Sequence, residues 1–233
     1  MEQAFSSEEN QTSFPWRFTA GVLVLIWIIH LAQFFLGTSF HQWGILPRQV
    51  EGLKGILFGP LIHGSWSHLT SNSVPLVVLS IMLFYFYPKK AWVVWWSSYF
   101  FPGLCVWLVA NLDITYDTYH IGISGLIYSL AFFLFFMGVF SKERRAMALA
   151  LVVAFLYGGI VWGVLPLQPH VSWEGHLFGA VTGIALALNF RKHGPQRKKY
   201  SWELEEEPPE MGFEPWNYKK WFPAPDEFEE EER

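Results

Sequence analysis

Six stretches of the chain are apolar almost without interruption, at about 17–36, 68–87, 91–110, 123–140, 146–165 and 175–190. A helix needs roughly 17–25 such residues to cross the hydrocarbon of a bilayer, so the pattern predicts six membrane-spanning helices. The fourth and sixth runs are short, and their ends are expected to sit below the lipid surface. The 37–67 connection differs from the others. Leu46, Val50, Leu53 and Leu57 follow one another at helical spacing, and the segment reads as an amphipathic stretch lying in the outer interface.

Basic residues give the runs a direction. Lys89 and Lys90 separate the second and third runs, and Lys142, Arg144 and Arg145 separate the fourth and fifth. Arg191, Lys192, Arg197, Lys198 and Lys199 follow the sixth, whereas 111–122 and 166–174 carry no Lys or Arg. The positive-inside rule then places both termini in the cytoplasm and residues 37–67, 111–122 and 166–174 outside. Residues 1–16 read as a cytoplasmic N-terminal segment and 17–190 as the six-span domain. Residues 191–233 read as a basic, then acidic, disordered cytoplasmic tail.

Composition agrees with this layout. Of 233 residues, 52% are hydrophobic and 15% charged, where a water-soluble domain carries about a quarter charged. The net charge of −4 comes from the tail, because twelve of the twenty acidic residues follow residue 200. The single cysteine, Cys105, excludes an internal disulfide and a cysteine metal site. H-E-x-x-H is absent, and so is a pair of intramembrane aspartates, which argues against a membrane metalloprotease and an aspartyl protease. The spans also lack the buried charged residues that ion-coupled transport needs.

The remaining polar residues gather at one depth. The second, fourth and sixth runs all start outside. They open with His63, His68 and Asn72, with Ser124, and with His176. Strongly polar groups inside a membrane are costly and mark functional candidates. His68 and Asn72 are four apart and share a helix face, as do Ser124 and Tyr128. His176, Gly179 and Gly183 form a stripe that would let the sixth helix pack closely on the fourth, where Gly122 and Gly125 bracket the serine. Such packing would bring Ser124 to His176. A serine hydroxyl needs a base to become a nucleophile, and His176 can be that base. Glu174, two residues away, points elsewhere on a helix, so the expectation is a Ser–His dyad with Tyr128 packed against the imidazole. His68, Asn72 and the backbone N–H of Ser124 could serve the tetrahedral intermediate as donors. His30 and His120 read as incidental.

Three motifs, "HGSWSHLTSN" at 63–72, "GISG" at 122–125 and "HLFGAVTG" at 176–183, resemble those of the rhomboid family of intramembrane serine proteases. The resemblance spans about 15–190. It implies an all-α membrane protein with a six-transmembrane-helix bundle, located in a bacterial plasma (inner) membrane. It makes Ser124 the nucleophile and His176 the base, with His68 and Asn72 lining the oxyanion site. Gly122 would shape that site and His63 would support its mouth. The implied activity is cleavage of transmembrane protein substrates within the lipid bilayer near the outer face, without cofactor, metal or nucleic acid. The alternative is an inactive rhomboid-like protein that binds or escorts membrane clients. Trp43 and Arg48 are not adjacent, unlike the Trp-Arg pair of many members, so the anchoring of the first external loop is open. Pro75, three residues past Asn72, is expected to disturb the helix that carries the oxyanion residues.

Overall fold

A computed structural model describes residues 2–110, 118–140, 144–167 and 172–193. The acidic tail from 194 lies outside the described residues. The first helix, α1, runs over Glu2–Leu36 and passes through Pro15. After it come α2 (Lys54–Phe58), α3 (Trp66–Phe86), α4 (Ala91–Val109), α5 (Ser124–Phe140), α6 (Arg144–Tyr157) and α7 (Trp173–Phe190). Among the described residues the only strand-like pairing is one isolated antiparallel bridge between Ile45 and His120.

Three of these helical segments, Pro15–Leu36, Trp66–Phe86 and Ala91–Val109, are long and apolar enough to cross a membrane. Ser124–Phe140 is a shorter apolar helix. At 1.5 Å per residue the 21 residues of α3 extend about 31 Å, which matches a hydrocarbon core of about 30 Å. The helix continues through Pro75 to Phe86. Large apolar side chains such as Phe35, Tyr85, Leu151 and Phe155 point outward. Patches of that kind are liabilities in water and fit a lipid surround.

The core lies where α3, α4 and α5 meet, with Leu76, Leu79, Leu83, Trp95, Leu130, Phe133 and Leu134 fully enclosed. In lipid, helices gain little from apolar burial, and close approach plus hydrogen bonds must join them. Both occur. Trp27 Nε1 donates to Ser73 Oγ at 3.1 Å, Trp95 Nε1 donates to Ser80 Oγ at 3.2 Å, and the Ser98 and Ser129 hydroxyls meet at 2.7 Å. These bonds link α1 to α3, α3 to α4, and α4 to α5.

The most extensive helix pair is α5 with α7. A Cβ added at Gly179 would collide with the Gly125 carbonyl oxygen and lie 2.9 Å from Tyr128 Cβ. One added at Gly183 would collide with the Ser129 carbonyl and lie 2.9 Å from the Phe133 nitrogen. The expected glycine stripe is therefore where two backbones touch.

Two segments depart from simple helices. Residues 37–67, read as an amphipathic stretch, form a chain of short turns: 3-10 turns at His41–Trp43, Val50–Leu53 and Gly59–Leu61, with α2 between the last two. Leu46 is buried, while Val50, Leu53 and Leu57 are exposed. The cause is glycine-mediated folding of the loop on itself. A Cβ on Gly52 would collide with the Leu46 backbone, and one on Gly55 with Gly44 and Ile45. The fifth apolar run also changes character midway. Its α-helix stops at Tyr157, and Gly158–Val164 winds on as a 3-10 helix, started by the pair Gly158-Gly159.

The loop is anchored on α4. The Arg48 N–H donates to the Trp107 carbonyl at 2.9 Å, and its guanidinium donates to the Ala110 carbonyl. Trp107 Nε1 donates to Gln49 O at 2.8 Å, and the Tyr99 hydroxyl donates to Leu57 O at 2.6 Å. Arg48 and Trp107 thus fasten the loop from positions far apart in sequence, with Arg48 held at φ 58°.

Gly183→Val tests the helix contact. Overpacking a close-packed site costs about 1–3 kcal/mol, and in a domain of this size each kcal/mol lowers the melting temperature by roughly 2–4 °C. Thermal unfolding in detergent should show a drop of several degrees. An unchanged melting temperature would mean that α7 can step away from α5 without loss.

Candidate functional site

Ser124 is the first residue of α5, His176 lies in the first turn of α7, and His68 lies in the first turn of α3. Each of these helix starts has a local cause. The Ser65 hydroxyl caps α3 by accepting the His68 N–H at 3.1 Å, and the Ser172 hydroxyl caps α7 by accepting the Gly175 N–H at 3.3 Å. Before α5 the chain turns through Gly122 at φ 106°, a conformation that side chains other than hydrogen rarely adopt.

Ser124 Oγ and His176 Nε2 are 2.9 Å apart, and both residues are buried. On the other side of the ring, His176 Nδ1 lies 2.9 Å from the Gly163 carbonyl oxygen. A carbonyl only accepts, so Nδ1 carries the proton and Nε2 presents its lone pair to the serine hydroxyl. The ring face is covered by Tyr128, stacked at a centroid separation of 4.1 Å and an interplanar angle of 7°. Gly163 has no room for a side chain, since a Cβ there would run into the Tyr128 hydroxyl. Glu174, though buried in the same first turn, is not the ring's partner.

The other expected residues sit around this pair. The His68 ring packs on Gly122, where a Cβ would come within 2.6 Å of it. Gly122 is fixed in turn by its N–H donating to the Gly59 carbonyl at 2.9 Å. Asn72 is buried one turn further along α3, and among the described residues its Nδ2 has no hydrogen-bond partner. His63 is buried with its ring 4.9 Å from that of His68. Behind Ser124 is a cavity of about 40 Å³ lined by Gly122, Gly125, Pro102, His120 and Ser172, among others.

Three contributions do not show in the motifs. The Gly163 carbonyl is a main-chain group on a segment with no polar signature. His30 and Gln33, from α1, both hold the His63 carbonyl oxygen, at 3.1 and 3.2 Å. His120 bridges to Ile45 and lies 2.6 Å from Ser172 Oγ. Each of the two histidines differs from an incidental residue by a hydrogen bond to a distant segment. The local sequence gives no hint of either bond, because the partners lie 33 and 52 residues away.

The family model described as "Rhomboid domain" matches residues 51–193. The chain is 35% identical over 184 residues to an uncharacterized protein of Mycobacterium tuberculosis (strain ATCC 25618 / H37Rv), with 76% of this chain and 74% of the relative covered. It is 33% identical over 187 residues to an uncharacterized protein of Mycobacterium leprae (strain TN), covering 76% of this chain and 70% of the relative.

The two histidines in the loops before α3 and α5 tie stability to pH. Burial, and secondarily the neighbouring His68, pushes His63 down to about 3. Burial pushes His120 down to about 4. Below the ordinary value of about 6.5 the unfolded imidazoles take up protons that the folded ones refuse, so the fold loses stability as pH falls. The loss begins near 6.5 and grows until the folded-state values are reached, amounting to about 2 kcal/mol per histidine at pH 5. Melting temperatures in detergent should therefore decline steadily from pH 7 to pH 4.5. A flat profile would show that these rings protonate freely in the folded protein.

Proposed function

The chain belongs to the rhomboid family, and from that premise and the Ser124–His176 contact we propose that it is an intramembrane serine endopeptidase. Its substrates are transmembrane segments of other membrane proteins, cut near the outer face of the bilayer. The domain spans the membrane six times with both termini in the cytoplasm. The tail after 190 is a cytoplasmic appendage, and the membrane is a bacterial plasma membrane. The observation that carries this reading is the hydrogen bond from Ser124 Oγ to His176 Nε2 at 2.9 Å, with the opposite ring nitrogen engaged by Gly163 O.

In this reading the chemistry needs only groups of this chain and water. Ser124 Oγ attacks the scissile carbonyl carbon as its proton passes to His176 Nε2, and the carbonyl oxygen takes up the negative charge. The Gly163 carbonyl steadies the resulting imidazolium through Nδ1–H, the place that a carboxylate fills in a triad. Asn72 Nδ2 and His68 stand as donors for the oxyanion, with Gly122 setting the turn that faces them. The intermediate collapses as His176 gives its proton to the leaving amine, which leaves an acyl ester on Ser124. Water, deprotonated by His176, then hydrolyses the ester and restores the serine. Tyr128 holds the imidazole plane, and His63 supports the turn before α3.

A client-binding protein without hydrolysis is the competing reading. It shares the fold and differs in whether Ser124 reacts. The purified protein in detergent should be labelled by a fluorophosphonate at Ser124, with the site located by mass spectrometry. Ser124→Ala should lose labelling and cleavage of a model transmembrane substrate, since loss of a serine nucleophile costs about 10⁶-fold in turnover in a soluble protease. A wild type that neither labels nor cleaves would leave the client-binding reading standing, and an alanine variant that cleaves at the wild-type rate would mean that Ser124 is not the nucleophile.

Asn72→Ala should reduce turnover by roughly 10²–10³-fold while leaving KM largely unchanged, the usual effect of losing one oxyanion donor. A loss confined to KM would move Asn72 from the oxyanion to substrate binding.

A further inference from the structure

His120 joins three chain segments that have no sequence continuity with one another. Its backbone N–H donates to the Ile45 carbonyl and its carbonyl accepts the Ile45 N–H, both at 2.9 Å, which pins the external loop. Its Nδ1 lies 2.6 Å from Ser172 Oγ. That hydroxyl also accepts the Gly175 N–H and so starts α7. A serine hydroxyl has one proton and two lone pairs. With one lone pair taken by Gly175, the hydroxyl can give its proton to His120 Nδ1, and both groups are satisfied. The ring is only 6% exposed, so an unmet nitrogen would find little water there.

The placement has a regular spacing. His120 stands four residues before Ser124, and Ser172 stands four residues before His176. One hydrogen bond therefore ties together the two segments that deliver the serine and the histidine. The glycine contacts at Gly179 and Gly183 set how closely α5 and α7 approach. Close approach alone does not set the rotation and slide of one helix start against the other. A displacement of about 1 Å at a reacting pair can cost roughly 10²-fold in rate.

We propose that His120 is a positioning residue for the Ser124–His176 pair: its ring bond to Ser172 sets the mutual placement of the starting ends of α5 and α7, while its backbone bridge to Ile45 fastens the external loop to the same point. The inference rests on the hydrolase reading above and concerns geometry, since His120 touches no reacting atom.

The test uses the full chain in detergent, with His120→Phe, His120→Asn, Ser172→Ala and the double variant His120→Asn/Ser172→Ala. Phe keeps the ring volume and removes the bond, and the Asn amide can reach the place of Nδ1. The readouts are kcat and KM on a model transmembrane substrate and the fluorophosphonate labelling rate at Ser124, with melting curves as the check of folding. His120→Phe and Ser172→Ala should each lower kcat and labelling by roughly 10–100-fold, with KM nearly constant. His120→Asn should recover most of the loss, and that recovery should vanish when Ser172 is also replaced, because both variants remove one shared interaction. A folded His120→Phe with wild-type kcat would overturn the proposal, and so would an Asn variant no better than Phe. If the Phe variant does not fold, the comparison of His120→Asn with and without Ser172 decides: recovery that survives loss of the hydroxyl refutes the proposal. Failure of the hydrolase reading looks different, because the wild type would then neither cleave the substrate nor be labelled at Ser124. Cleavage that depends on Ser124 but not on the His120–Ser172 bond sinks only the positioning role.

Discussion

The site depends first on how closely α5 can approach α7. In lipid, two helices gain nothing from hiding apolar surface that the acyl chains would cover equally well. What they can gain is backbone-to-backbone contact, and only glycine permits it. Gly179 against the Gly125 carbonyl, and Gly183 against the Ser129 carbonyl, provide it here. The consequence reaches the chemistry directly. Ser124 precedes Gly125 by one residue and His176 precedes Gly179 by three, so the close approach of the helices brings the hydroxyl and the imidazole into range of each other, 2.9 Å apart.

The second constraint is the histidine itself. A soluble triad orients its imidazole with a carboxylate, which would bring a charge into a region where charge is expensive. This chain uses a main-chain carbonyl. The last turns of a helix leave carbonyl groups without intrahelical partners, and the 3-10 segment Gly158–Val164 ends beside His176. Gly163 O and His176 Nδ1–H therefore satisfy each other. The carbonyl fixes the tautomer as a carboxylate would, while offering a partial charge in place of a full one. Tyr128 completes the hold by covering the ring face, so the imidazole is constrained in plane and in rotation.

What was legible in the residues follows from the range of each interaction. The apolar runs and the spacing of His68/Asn72, Ser124/Tyr128 and His176/Gly179/Gly183 are local periodicities, and helices occur at all of those positions. The glycine stripe also announced which helices would touch. The spacing did not carry the Gly163 carbonyl, because any residue has one and only the break from α-helix to 3-10 helix aims it. Nor did it carry the anchoring of the first loop. Arg48 and Trp107 are joined across 59 positions by main-chain groups, and the helical spacing of Leu46, Val50, Leu53 and Leu57 marked an amphipathic stretch without showing how Gly52 and Gly55 fold it on itself. His30 and His120 looked incidental for the same reason: their partners are distant and one of them is a backbone oxygen.

The unpaired polar atoms bring these constraints to a point. A buried donor without an acceptor costs about 1–3 kcal/mol, and folded proteins keep few of them. Asn72 Nδ2 is one, on the helix face it shares with His68. Several neighbouring groups have partners. His176 has partners at both ring nitrogens, Ser172 caps a helix and meets His120, and the His63 carbonyl accepts two bonds from α1. In the hydrolase reading the acceptor for the Asn72 amide is the oxygen that becomes negative when Ser124 attacks. A donor already free and already held needs no reorganisation at that moment. The energy forgone in the resting fold is then recovered in the transition state and not in the ground state, which is the condition for such an interaction to raise turnover and not merely tighten binding.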